Sequence, residues 1–417
     1  MAFFSRRWYW LLVQILVAVY TIASVGYLIY RPRNPWNAPH EEEGESIVGR
    51  ISRKQPNYYV TGPRDNPKQL TIHLPAPGNT TTRVNAGFVV LVRNSELSGM
   101  LGSMYDVESR FNRKYNYPWL FLNNEPFTEE FKQRTSQATN AKTYYGFVDS
   151  SMWSYPPWIN QSFAAESREM MAELPYGDSE SYRHMCRFQS GFFWRHPLLL
   201  ELGWEYYWRV EPDVRYFCEL DYDPFVYMKE NGKQYAFTIS FIENIDTVPS
   251  LWNAVRRFAK ESASKGKDHF KLKAKDSLHR FVTDARAEEY NACHFWTNFE
   301  IARVDLWHTD AYKEFFDYLD MDGGFFYERW GDAPVHSIFA SLYLRKDEVH
   351  YFHDIGYQHS TYQHCPESEE LQSRCYCDPV NTLDYTDPMS CLNQYMYALD
   401  EDSPGTDETV GDLLVAA

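Results

Sequence analysis

Residues 86–92 read AGFVVLV, a short unbroken apolar run dominated by valine. A run of that length without polar alternation is the pattern of a strand buried on both faces. Working outward, residues 117–122 (YPWLFL), 144–148, 206–210 and 235–242 read as further strands. Residues 163–174, 182–200, 311–319 and 334–344 space their apolar side chains as helices do. Strands alternating with helices predict an α/β architecture with a largely parallel sheet, and such sheets hold ligands outside the carboxyl ends of their strands.

The flanks differ from this body. Residues 8–30 (WYWLLVQILVAVYTIASVGYLIY) carry no charge across 23 positions and have aromatic residues at both ends. As a helix this run is about 34 Å long, enough to cross a hydrocarbon core of about 30 Å. It is too long for a cleaved signal peptide and reads as a transmembrane signal anchor. Residues 1–7 then form a cytosolic tail, 31–82 a proline-punctuated stalk, 83–365 the luminal domain and 366–417 an acidic C-terminal tail. That last stretch contributes −11 to a net charge of −16, so the body is close to neutral. The acidic balance excludes a nucleic-acid binder, which needs a Lys/Arg surplus. Aromatic residues at 17% and hydrophobic residues at 44% exclude a mainly disordered chain.

The seven cysteines and the sequons at Asn79 and Asn160 fit an oxidising, glycosylating lumen. Cys375 and Cys377 beside His364 and Cys365 offer a zinc alternative, though without a paired knuckle. The six lysines of residues 260–275 read as a solvated insertion.

Four clusters could carry chemistry. Glu211-Pro212-Asp213 follows a strand and offers two hard carboxylates, either for a divalent metal that binds a diphosphate or simply as a turn. Glu300 ends the apolar stretch YNACHFWTNFE, where a carboxylate is costly unless paired or used. Glu328, Asp332 and His336 lie within GGFFYERWGDAPVHS, whose aromatic faces and carboxylates suit a sugar, or else a loop entering a helix. Residues 350–364 hold four histidines around Asp354, any one of which could complete a metal site. No phosphate-binding P-loop, dinucleotide glycine fingerprint, nucleophile elbow or metalloprotease motif occurs.

Taken together, FVVLVRN, YPWLFLN, SYRHMCRFQSGFFW, YYWRVEPD, YNACHFWTNFEI, GGFFYERWGDAPVHS and HDIGYQH resemble the fungal Golgi α-1,2-mannosyltransferases, glycosyltransferase family fifteen, over about residues 84–365. The resemblance implies a GT-A-type nucleotide-sugar transferase domain with a mixed, largely parallel central sheet. It also implies mannose transfer from GDP-mannose to the 2-hydroxyl of a mannosylated glycoprotein acceptor, with retention and with Mn²⁺. By the same resemblance Glu211 and His359 are metal ligands, and Glu300 and Asp332 catalytic carboxylates. Tyr182 is on the acceptor side, and Arg93 and Asp213 are at the nucleotide. A Golgi type II membrane protein follows from the same plan. Thr297 departs from the family's usual serine. Retention leaves two routes open, a covalent mannosyl intermediate on Glu300 or front-face attack with Glu300 stabilising charge. An inactive mannoside-binding or scaffold protein of the same fold and a glycoside hydrolase are the rival classes.

Overall fold

Strand β1 (Ala86–Leu91) sends alternate side chains into two different cores: Val89 to one, Phe88 and Val90 to the other. Both faces are apolar because both are covered, which is why the run shows no polar alternation. The computed structural model describes residues 83–385, 387–400 and 406–417, which belong to the unit Asn57–Ala417. The strands that follow are β2 (Trp119–Asn123), β3 (Thr143–Phe147), β4 (Tyr206–Arg209), β5 (Val214–Tyr216) and β6 (Tyr235–Phe237). After them come β7 (Ser240–Ile242), β8 (Cys293–Phe295), β9 (Glu300–Arg303), β10 (Val349–Tyr351), β11 (Tyr357–His359) and β12 (Tyr362–His364).

The central sheet has seven strands in the order β10-β6-β9-β4-β1-β2-β3. All its neighbours pair in parallel except at β9, which runs antiparallel to both β4 and β6. The sheet is therefore mixed and largely parallel, as the alternation of elements implies. A three-stranded antiparallel sheet, β12-β11-β5, and the pair β7-β8 complete the β structure among the described residues. The reversed β9 matters for function, because its first residue, Glu300, meets the last residue of β4, Arg209. The carboxyl end of a parallel strand and the amino end of an antiparallel one thus share one edge.

Several expectations need correction. The run 235–242 is two strands in different sheets, because β9 offers β6 only Ala302 and Ile301 as partners and the chain then turns away. The helix expected over 182–200 is Glu180–Gly191, capped by Ser179, followed by a 3₁₀ turn and a short helix, Pro197–Leu202. Pro197 cannot continue a helix but starts one well, with His196 as its cap. Glu300 follows β8 after a short turn and itself opens β9.

The largest correction concerns the acidic C-terminal stretch, which is not a free tail. Disulfides Cys218–Cys375, Cys293–Cys391 and Cys365–Cys377 bind it to the body, and Cys186 is left free and buried. Leu383, Leu392, Tyr395 and Ala398 are buried, and the Tyr395 ring meets Phe237 edge-on at 4.9 Å. The short helix Val410–Ala416 buries Val410 and Leu414 in the same core as Phe258 of the helix Leu251–Ser264. Cys365, Cys375 and Cys377 are all oxidised, which removes the zinc alternative. The lysine-rich stretch is likewise built in: Phe270 and Ala274 are buried, and Lys273 and Lys275 pair with Asp407. Residues 1–82, with the expected cytosolic tail, anchor and stalk, lie outside the described residues. Among those described, no helix is long and apolar enough to cross a membrane.

Candidate active site

The site starts where β4 stops. Glu211-Pro212-Asp213 turns the chain from β4 into β5, with Asp213 in the left-handed region (φ 58°) that Asp tolerates better than most residues. The turn lies against the first turn of the helix Leu97–Val107 at Gly99, where an added Cβ would fall 2.4 Å from the Asp213 carboxylate. Strand β5 pairs antiparallel with β11, with His359 opposite Val214. That pairing brings His359 Nε2 to 3.7 Å from Glu211 Oε2. Both side chains keep part of their surface open, 23% for Glu211 and 28% for His359. The His359 ring stands edge-on to Trp296, and its Nδ1 is buried without a hydrogen-bond partner among the described residues.

A carboxylate and an imidazole are the donor set of a borderline divalent metal. In an octahedral site with bonds of about 2.1 Å, donors lie about 3 Å apart when adjacent and about 4 Å apart when opposite. At 3.7 Å, Glu211 and His359 stand slightly wider than adjacent donors, within a small side-chain adjustment of sharing one cation.

Behind the pair sits Arg209, buried, which bridges two carboxylates. Its Nη2 donates to Glu211 and its Nη1 to Asp332 Oδ2 at 2.5 Å. Burial disfavours the Arg209 charge, but Asp332, Glu211 and Glu300 outweigh it and keep the guanidinium protonated. Asp332 opens the helix Asp332–Tyr343 and also accepts from Thr297 Oγ1 at 2.7 Å. Burial alone would raise the Asp332 carboxyl, yet Arg209, His336 and Thr297 hold it below its ordinary 3.8. Thr297 supplies the hydroxyl that this bond needs.

Glu300 belongs to a deeper layer. Its Oε1 accepts from the Tyr207 hydroxyl at 2.6 Å and its Oε2 from the Tyr235 hydroxyl at 3.0 Å, with His336 Nδ1 at 3.1 Å. Burial, and then the Glu300 charge, push both phenols well above their usual range, so they stay protonated donors. Trp307 stacks on His336 at 4.2 Å and donates its indole N–H to Tyr207. The carboxylate is 1% exposed, and each oxygen is already occupied by a buried donor.

Tyr182 lies on the other side of Asp332. Its ring stacks on Tyr176 at 4.6 Å and takes the Arg329 guanidinium over its face at 5.2 Å. Arg93, just beyond β1, donates to Ser181 in the same helix as Tyr182. The sequence-predicted residues Arg93, Tyr182, Glu211, Asp332 and His359 thus converge on the edge shared by β1 and β4. Asp213 faces Gly99 rather than the Glu211–His359 pair, and Glu300 lies beneath the others. Two surface hollows of about 400 and 530 Å³ are lined by none of these residues. Arg209, Tyr207 and Tyr235 have no assigned role in the sequence reading. Arg209 was within reach of it, since a cation directly before two carboxylates invites pairing.

A family described as glycolipid 2-alpha-mannosyltransferase matches residues 44–399. The chain belongs to that family. The match extends past residue 365, which agrees with the disulfide-bound C-terminal stretch being part of the fold. Glycolipid 2-alpha-mannosyltransferase 2 of Candida albicans is 50% identical over 317 residues, covering 75% of this chain and 67% of the relative. The O-glycoside alpha-1,2-mannosyltransferase omh1 of Schizosaccharomyces pombe is 48% identical over 77% of this chain and 80% of its own. Among solved structures, core-mannan synthase A of Aspergillus fumigatus, in a Mn/GDP form, is 40% identical with a TM-score of 0.69, covering 77% of this chain and 87% of that one. The mannosyltransferase Ktr4p of Saccharomyces cerevisiae with GDP is 31% identical with a TM-score of 0.70, covering 77% and 83%.

Proposed function

We propose that the protein is a retaining α-1,2-mannosyltransferase, moving mannose from GDP-mannose to the 2-hydroxyl of a mannoside acceptor in the elongation of protein-linked glycans. Family membership and the names of the relatives support mannosyl transfer. The observation that carries the reading is the half-open Glu211–His359 pair, 3.7 Å apart and held from behind by the same arginine that grips Asp332. The Mn/GDP form of the Aspergillus fumigatus relative supports Mn²⁺ and a GDP-linked donor, and the layout fits a GT-A-type domain. A cation between Glu211 and His359 supplies, when bound, Lewis-acid neutralisation of a departing diphosphate.

The chain's own residues divide the remaining work. Arg209 fixes Glu211 and Asp332 relative to one another. Asp332, fixed through Oδ2 by Arg209 and Thr297, orients the acceptor hydroxyl. Glu300, sealed under Arg209, contributes fixed negative charge and offers no accessible nucleophilic oxygen. That favours the front-face route: the C1–O bond to GDP breaks as the acceptor O2–C1 bond forms on the same face, and the hydroxyl proton passes to the leaving diphosphate oxygen. The three disulfides and the exposed sequon residue Asn160 support a luminal, Golgi-type setting behind the anchor at residues 8–30.

The test is incubation of the purified body with GDP-mannose, Mn²⁺ and α-mannobiose, followed by linkage analysis. A new α-1,2-linked trisaccharide is the expected product. Cleavage of mannobiose would point to a hydrolase, and no change in either sugar to a binding protein.

A further inference from the structure

Two of the disulfides stand closer together than independent crosslinks need to. Cys218 is bonded to Cys375, and Cys365 to Cys377. The Cys377 sulfur nevertheless lies within 4.8 Å of the sulfurs of both Cys218 and Cys375, so atoms of two different bonds share one small volume. Tyr376, between the downstream cysteines, is held outward: its hydroxyl accepts from Arg215 at 2.6 Å and Arg110 covers its ring at 4.7 Å. Cys375 and Cys377, two positions apart, face the other way together. Gly356 keeps the space beside Cys218 and Cys377 clear. A Cβ there would stand 2.7 Å from Cys218 Sγ and 3.5 Å from Cys377 Sγ.

The same glycine ties the sulfurs to the metal pair. Its N–H donates to Cys218 Sγ at 3.3 Å, and its carbonyl accepts from Phe217 N at 2.9 Å. These bonds continue the β5–β11 pairing that sets His359 opposite Val214. The Cys218 sulfur is thus part of the support beneath Glu211 and His359. Cys218 and Cys365 are buried, whereas Cys375 and Cys377 are half-buried, so a thiol arriving from solvent meets the downstream pair first.

We propose that these four cysteines form a thiol–disulfide exchange site, in which Cys218 changes partner from Cys375 to Cys377 and loosens the support of His359. A dithiol starts the exchange. One of its thiolates attacks Cys377, and Cys365 leaves as a thiolate that takes a proton; the second thiolate then closes the dithiol into its own disulfide and releases Cys377. The dithiol is oxidised by two electrons, and the Cys365–Cys377 bond is reduced. The freed Cys377 thiolate attacks Cys218 Sγ: the Cys218–Cys377 bond forms as Cys218–Cys375 breaks, and Cys375 leaves as a thiolate that takes a proton. That second step is electron-neutral and needs no further reagent.

The test treats the purified, folded full chain with limiting dithiothreitol, alkylates it, and digests it with chymotrypsin, which cuts after Tyr376 and separates the two downstream cysteines. Exchange leaves a Cys218–Cys377 crosslink and puts label on Cys365 and Cys375, with Cys375 reaching at least about a tenth of the Cys365 level. Label confined to Cys365 and Cys377, with Cys218–Cys375 intact, overturns the proposal. Cys365→Ser presents the Cys377 thiol without any reductant and should yield both Cys218 crosslinks; Cys218–Cys375 alone counts equally against it. Mn²⁺-dependent GDP affinity of the exchanged form should fall about tenfold, the lower end for lost support behind a metal ligand. Unchanged affinity in that form overturns the link to His359. Wild type that binds no GDP with Mn²⁺ counts against the transferase reading instead, while the labelling pattern still decides the exchange.

Discussion

Two glutamate–histidine pairs sit within one network and do different work. Glu211 and His359 are 3.7 Å apart and 23% and 28% exposed; Glu300 and His336 are 3.1 Å apart and 1% and 0% exposed. Residue type does not separate them. What separates them is the number of donors already spent on the carboxylate. Glu211 gives one oxygen to Arg209 and leaves the other toward His359, so a cation can be accommodated there. Glu300 has Tyr207, Tyr235 and His336 on its two oxygens and is closed to solvent. The sealed pair anchors Arg209 by charge, and Arg209 in turn holds the open pair in place.

This contrast can be broken by mutation. Glu300→Gln should have the largest effect, a loss of about 3–5 kcal/mol in chemical denaturation, because one of the two charged acceptor oxygens serving the buried Tyr207, Tyr235 and His336 becomes an amide donor. The folded fraction should still bind GDP; an unchanged midpoint would mean that the sealed pair carries no structural load. Glu211→Ala should leave stability nearly intact and cut Mn²⁺-dependent transfer about 10²–10³-fold, with calorimetry registering weaker metal-dependent GDP binding. Equal donor affinity with and without the glutamate would take it out of the site.

Asp332 links the two pairs and gives a pH signature. Its carboxyl is depressed below 3.8 in the folded protein, so its contribution is fully present above the unfolded value and fades as pH falls through the folded one. Melting curves between pH 6 and pH 2 should therefore drop more steeply for wild type than for Asp332→Asn; parallel curves would contradict the assignment. The smallest effect is expected for Thr297→Ser, which keeps the donor to Asp332 and loses one buried methyl group, about 1 kcal/mol. Its turnover should match wild type, whereas Thr297→Val, lacking the hydroxyl, should not.

How much of this was legible in the sequence depended on the range of the interaction. The run 86–92 announced a doubly buried strand because both faces are apolar, and Glu211 and His359 stood out within recognisable motifs. The bridge from Arg209 to Asp332 crosses 123 positions of chain, which no local pattern reports. The sealing of Glu300 was equally hidden, since Tyr207, Tyr235 and His336 come from three separate elements and read individually as ordinary core residues. The C-terminal stretch misled for a different reason: its charge density masked a sparse set of buried positions, Leu392, Tyr395 and Ala398, that only packing and the disulfides expose. Similarly, the run 235–242 is continuous in hydrophobicity but not in available strand partners.

The wide disulfides have a consequence for biosynthesis. Cys218 and Cys293 wait for partners 157 and 98 residues further along the chain. At a translation rate of about 5–20 residues per second, Cys218 spends on the order of ten to thirty seconds without its mate. Throughout that interval the nascent polypeptide carries unpaired thiols, Cys186 among them. Since His359 follows Glu211 by 148 positions, a product that stops before it would carry Glu211-Pro212-Asp213 yet lack the imidazole that faces it.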